Sequence, residues 1–169
     1  MKSILRTAAA GVAVASLGIA SAASAATDSA QVEAEILTAL SVTVDTNADT
    51  LNFGGISESG TGGTVTLSTS NAQTCSAGLS CDGATAVPSF DVQGIAASVV
   101  DVSFVNASET LTGPLGATMS VGSFTASSNQ LTLDGTGAAD FTVGGTLTVG
   151  AGQAAGSYAC TLTVQVEYN

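Results

Sequence analysis

Apolar and polar residues alternate with a period of two along most of this chain, and that pattern bounds what it can fold into. Between residues 30 and 44 the even positions hold Ala30, Val32, Ala34, Ile36, Thr38, Leu40, Val42 and Val44. The odd positions include Gln31, Glu33, Glu35, Ser41 and Thr43. A helical period of about 3.6 residues would carry the glutamates into the apolar face, so a helix fails and a half-buried strand fits. The stretch reads as one very long strand, or as two strands in the same phase. The last stretch, 157–168, is as regular. Cys160, Leu162, Val164, Val166 and Tyr168 share one face, and Thr161, Thr163, Gln165, Glu167 and Asn169 the other.

Between these ends the pattern is broken by turn residues. A turn at 45–49 precedes a short strand, Leu51-Asn52-Phe53, that stops at Gly54-Gly55. Residues 64–68, 87–92, 98–105, 118–124 and 130–133 are further strand candidates, and 70–85 reads as a polar loop. Phe141-Thr142-Val143 and Thr146-Leu147-Thr148-Val149 flank Gly144-Gly145, a bulge or a kink. Eight or nine short strands separated by Gly, Asn, Asp and Ser predict an all-β antiparallel sandwich. There is no Trp, so Phe53, Phe90, Phe104, Phe124 and Phe141 are the expected large core fillers among Val, Leu and Ile.

Charge removes whole classes of function. The chain holds two Lys/Arg against thirteen Asp/Glu, and no His. Both cations, Lys2 and Arg6, precede an apolar run from Ala8 to Ile19 and the small residues Ala23-Ser24-Ala25. This is the layout of a secretory signal peptide over residues 1–25, with cleavage after Ala25 as first choice and after Ala26 as second. The run is too short for a membrane span, and no later stretch reaches the roughly 18 to 20 apolar residues one needs. Removing 25 of the 169 residues leaves 144, one domain's worth, without a single cationic side chain. Nucleic-acid binding through phosphates, Schiff-base lysines, arginine clamps and histidine bases are all excluded. A partner that docks by charge must be basic or bring a divalent cation.

Few residues suggest a site. Cys75 and Cys81 enclose a short polar loop, and export favours a local disulfide between them. Cys160 falls on the apolar face of the last strand and reads as a buried free thiol; pairing with a loop cysteine is the alternative. Asp45-Thr46-Asn47-Ala48-Asp49 begins like a calcium loop, but Thr50 stands where Gly belongs and Ile56 where the closing Glu belongs. A turn with local Asp and Asn backbone bonds accounts for it. Paired carboxylates can run glycoside hydrolysis, yet nothing marks a pair and no aromatic platform awaits a sugar. We expect no enzyme activity, no cofactor and no metal site.

The first strand is too long for one sheet. At about 3.3 Å per residue, residues 30–44 would extend on the order of 45 Å, more than twice the usual strand. Either it bends between two sheets, or Thr27 to Leu37 leaves the domain and pairs with another molecule.

Leu51-Asn52-Phe53-Gly54-Gly55-Ile56, residues 143–149, Gln153-Ala154-Ala155-Gly156-Ser157-Tyr158 and the closing Val164-Gln165-Val166-Glu167-Tyr168-Asn169 carry a resemblance. They resemble the bacterial family called domain of unknown function 4402. The layout is also similar to pilins of the chaperone–usher pathway, especially the archaic, spore-coat-U-like branch. Tyr168 is penultimate, and Gly156 stands fourteen places from the end, as in those pilins. Archaic pilins usually carry a Cys where this chain has Leu40 or Ser41, so their linked bridge is absent or rerouted here.

The resemblance implies an immunoglobulin-like sandwich lacking its last strand. A periplasmic chaperone would fill the gap before an outer-membrane usher passes the subunit to copies of itself. It implies a donor strand in residues 26–37 with Ala30, Val32, Ala34 and Ile36 as plugs. Gly156, Leu162, Val164, Val166 and Tyr168 would form the acceptor groove and chaperone-recognition surface, on a domain spanning 38–169. The expected function is a structural subunit of a bacterial surface fibre, exported through the periplasm. The rival is a self-complete secreted sandwich, a binding or matrix module in which residues 30–44 close their own sheet.

Overall fold

The structure is a computed structural model that describes residues 27–36 and 38–169. The expected signal peptide, 1–25, lies outside the described residues. Two units are distinguished, Met1–Glu35 and Ile36–Asn169. In the first, residues 27–35 form no strand and are exposed throughout.

The second unit contains twelve strands among its described residues. They are β1 (Ser41–Val44), β2 (Gly55–Glu58), β3 (Gly63–Leu67), β4 (Gln73–Cys75), β5 (Leu79–Asp82) and β6 (Ser89–Gln93). They continue with β7 (Val99–Phe104), β8 (Ser108–Thr112), β9 (Thr118–Ala126), β10 (Gln130–Thr132), β11 (Ala138–Val149) and β12 (Val164–Tyr168). Every ladder between them is antiparallel. A seven-stranded sheet runs β1-β6-β11-β3-β4, with β9 also on β11 and β8 on β9. The second sheet is β10-β7-β12, and β2 with β5 makes a separate two-stranded ribbon. The fold is an immunoglobulin-like antiparallel β-sandwich.

β11 organises both halves. Its first residues, Ala138 to Thr142, pair with β6, and its last, Gly145 to Val149, pair with β3. Two core clusters follow that division. Phe53, Val65, Leu67, Val121, Leu147 and Val149 form one, and Val92, Val100, Val102, Leu133, Phe141 and Val143 the other. The Gly144-Gly145 pair sits within one continuous strand, and the register with β9 slips between Gly144 and Thr146. On β9 the slip is absorbed beside Ser123, whose φ of 50° is left-handed. Of the five expected aromatic fillers, Phe53 and Phe141 are buried, and Phe90 stacks on Phe141 with ring centroids 5.3 Å apart.

Several elements differ from the sequence expectation. Of the described residues among 30–44 only Ser41–Val44 is a strand, because β6 offers it a partner. Leu40 and Val42 pack against the second cluster, whereas Val32 and Ile36 are 93% and 98% exposed. The polar loop expected at 70–85 contains β4 and β5, paired with β3 and β2. Short polar segments become strands when a distant edge supplies their hydrogen bonds. β2 and β8 escaped notice for the same reason. The strand expected over 157–168 is limited to β12, preceded by a single bridge at Ala159, and 51–53 is a single bridge from Asn52 to Ala86.

Candidate functional site

An apolar groove opens along one flank of the sandwich, between residues 49–58 and 153–162. Its larger part, about 770 Å³, is floored by Leu111, Met119, Leu147 and Val149 and walled by Gly54 to Glu58 and Gln153 to Tyr158. Its smaller part, about 470 Å³, continues past Val44, Phe90, Val121, Phe124, Cys160 and Leu162. Thr50, Leu51, Phe53, Leu111 and Tyr158 line both parts, so the two form one trough.

Backbone direction matters as much as the apolar floor. Ala159 exchanges both backbone hydrogen bonds with Thr112, at 3.0 and 3.1 Å, and the Thr163 carbonyl accepts from the Val105 N–H at 3.2 Å. Between these two ties the N–H groups of Cys160, Thr161 and Leu162 make no hydrogen bond to another backbone group among the described residues. Among the described residues no ladder engages Cys160, Thr161 or Leu162. The trough therefore offers an apolar floor beside an unpaired backbone segment.

Local sequence shapes the rim. Gly156 has a φ of 148°, and the Pro114 ring lies where a β-carbon would project. The Tyr158 ring packs on Gly113 in the same way. The Tyr158 hydroxyl donates to the Ala154 carbonyl at 2.7 Å and accepts from Gln153 Nε2 at 2.7 Å, which holds the ring over the groove wall. At the far end the Glu58 carboxylate accepts from the N–H groups of Gly60 and Gly152, at 2.6 and 2.9 Å.

The expected acceptor residues divide. Gly156 lines the larger part of the groove and Leu162 the smaller. Val164 and Val166 turn inward onto the second core cluster. Tyr168 is 39% exposed, and its hydroxyl accepts from the Ile95 N–H at 2.8 Å and donates to the Thr38 carbonyl at 3.5 Å. Sequence reasoning missed Leu51, Ile56, Leu111, Met119 and Tyr158 as groove residues. Leu111 and Met119 do alternate with Thr and Ser in their strands, but which face stays uncovered depends on the whole sandwich. The expected donor positions Ala30, Val32, Ala34 and Ile36 are all exposed.

Cys75 and Cys81 form a disulfide, with Cα atoms 6.4 Å apart. Cys160 is free, as expected, but exposed rather than buried. β12 begins only at Val164, and the groove beside Cys160 is open. Desolvation on the groove wall and, second, the Glu109 carboxylate push its thiol above the ordinary value, which disfavours a reactive thiolate. In the turn at 45–49 the Asp45 carboxylate accepts from the Asn47 N–H at 2.8 Å, a local turn bond.

No curated protein and no solved structure matches the chain. The match to a family model over residues 40–168 covers every strand described above, and by it the chain belongs to the family described as domain of unknown function (DUF4402).

Proposed function

We propose that this protein is a structural subunit of a bacterial surface fibre that polymerises by giving its N-terminal segment to the groove of the next copy. The observation that carries this reading is a pair of complementary features. One is an open trough with an apolar floor beside an unpaired backbone segment; the other is a segment whose apolar face is wholly exposed. An added strand would gain ladder hydrogen bonds and bury Ala30, Val32, Ala34 and Ile36. Full burial of Val32 and Ile36 contributes roughly 1.5–3 kcal/mol each. Glu33 and Glu35, on the other face, would remain in water. Repulsion between acidic copies is screened beyond about 8 Å at physiological salt. Export through the periplasm, a chaperone that covers the groove and an outer-membrane usher belong to the same reading, by resemblance to the pilins.

Reach argues against a chain that fills its own groove. Thr38 lies beside the Tyr168 hydroxyl, at the end of β12 remote from Leu162. The six residues between them span about 20 Å. A segment folding back along β12 would bring Val32 only to the level of Leu162, and would leave Ala34 and Ile36 outside the trough. Donation to a second copy uses all four plugs.

Size-exclusion chromatography of exported material tests this. The parent is expected in large, denaturant-resistant assemblies. Ile36→Asp or Val32→Asp, which would force a carboxylate into an apolar slot, should leave chaperone-bound or degraded monomers, while Glu33→Gln assembles normally. A parent that is monomeric and cooperatively folded when made alone would sink the proposal and favour the self-complete sandwich.

A further inference from the structure

We infer that the Cys75–Cys81 disulfide positions one wall of this groove, so that only the oxidised subunit takes up a strand; this rests on the strand-acceptor reading above. The wall in question is β2, which lines the larger part of the trough. Among the described residues β2 pairs only with β5, and their ribbon belongs to neither of the larger sheets. An isolated two-stranded ribbon is marginally stable at best, so something else must hold it at the groove. Ile56, on β2, faces the groove and packs on the first core cluster. Its cross-strand partner on β5 is Cys81. Cys81 is bonded to Cys75 on β4, and Cys75 lies opposite Val65, a fully buried residue of β3. Three successive contacts thus run from the groove wall to a fully buried residue of the seven-stranded sheet, and one of them is covalent.

The hydrogen-bonded ties hold the ends of the ribbon. Before β2 they are the Asn52–Ala86 bridge and the bond from Gln73 Nε2 to the Phe53 carbonyl. After it come the bond from the Gly152 N–H to Glu58 and the bonds from Ser59 to the Gly78 carbonyl. Beyond β5, Asn71 Nδ2 donates to the Thr85 carbonyl. Besides the disulfide, Ile56 and Leu79 add apolar packing on the first core cluster. The disulfide closes a loop with a sequence separation of only 6. Short loops restrict the unfolded chain least, so its larger effect here is local. Closing it removes two protons and two electrons from the paired thiols. An exogenous disulfide accepts them and leaves as two thiols; oxidised glutathione serves in the test. A reduced chain would keep its sandwich but present a loose wall. Strand uptake would then wait for an oxidising compartment.

The test uses the full chain carrying Cys160→Ser, so that no third thiol can exchange, with the unsubstituted parent run beside it because Cys160 lines the groove. Assembly and amide hydrogen exchange are followed for the oxidised protein, for Cys75→Ser/Cys81→Ser, and for reduced protein re-bridged through a one-carbon thioether. Oxidised and re-bridged proteins are expected to assemble alike. The double variant should assemble at least tenfold more slowly, with amides of Gly55–Glu58 exchanging at least tenfold faster and those of β11 unchanged. Assembly of the double variant at the parent rate, or equal exchange at Gly55–Glu58 with and without the bridge, overturns the inference even if the double variant folds poorly. An oxidised parent that never assembles refutes the fibre reading instead, and the inference with it.

Discussion

A chain whose described residues contain no Lys or Arg must settle its carboxylates by other means, and the single residues show how. Asp101 faces Glu167 across β7 and β12, and Asp91 faces Asp140 across β6 and β11. Like charges directly opposite one another destabilise a sheet. Amide side chains take the place of cations at the first pair: Gln130 Nε2 donates to Asp101 at 3.0 Å and Gln165 Nε2 to Glu167 at 2.6 Å. Asp134 is served by its own turn. Its Oδ1 accepts from the Ala138 N–H at 2.9 Å and from the Thr136 hydroxyl and N–H, each at 2.7 Å. The Ala138 N–H first, then the Thr136 hydroxyl and N–H, hold its pKa below the ordinary 3.8. A lowered folded-state pKa means that the stabilisation is complete above 3.8 and is lost as pH falls through the lower folded value. Asp134→Ala should therefore be less stable than the parent by a constant margin above about pH 5, with the margin closing in strong acid. Urea midpoints of both proteins across that range check it; a margin that widens in acid would contradict the assignment.

Among the elements, β11 bears the greatest demand, since it pairs with β6, β3 and β9 along its length. Gly144 marks where that is possible. A β-carbon there would meet the Ser68 carbonyl carbon and the Thr69 nitrogen at 2.9 Å, both backbone atoms that cannot swing aside. Gly144→Ala is expected to cost about 1–3 kcal/mol, as overpacked cores do. It should lower the denaturant midpoint with an unchanged slope. Gly60, which has no atom within 4 Å of an added β-carbon, gives a control for crowding. Its φ of 96° leaves Gly60→Ala with backbone strain alone. A loss at Gly144 no larger than at Gly60 would remove close approach as the reason for the glycine.

For the molecule as a whole, cohesion between copies of the kind proposed above could not be ionic, since both chains would be acidic and the only cations precede residue 7. It must come from backbone hydrogen bonds and apolar burial, which is what the trough and the exposed segment offer. The same lack of cations has a direct consequence if the chain is exported and cleaved as proposed. A chain starting at Ala26 or Thr27 should pass through trypsin uncut, folded or unfolded, and mass spectrometry of the digest would reveal any exception. A tryptic fragment, or an exported form that still holds Lys2, would contradict processing near Ala25.

The sequence by itself determined that the chain is built from strands, since Gln165 and Glu167 among Val164, Val166 and Tyr168 suit only a period of two. It also determined that Cys75 and Cys81 are close enough to pair, and that no chemistry requiring a basic side chain is open to residues 7–169. Alternation reports which side of a strand can be buried, but not whether a neighbour exists to bury it. Residues 30–36 and 40–44 alternate alike, yet only the latter has β6 beside it. Likewise Val164 and Val166 share a face with Leu162, but they pack into the core while Leu162 lines the trough. Pairing and coverage are long-range properties: β11 meets β3 across roughly eighty residues of chain, and no local pattern encodes that meeting. The tertiary structure alone decided where the sheets fail to close, and therefore where a groove is left.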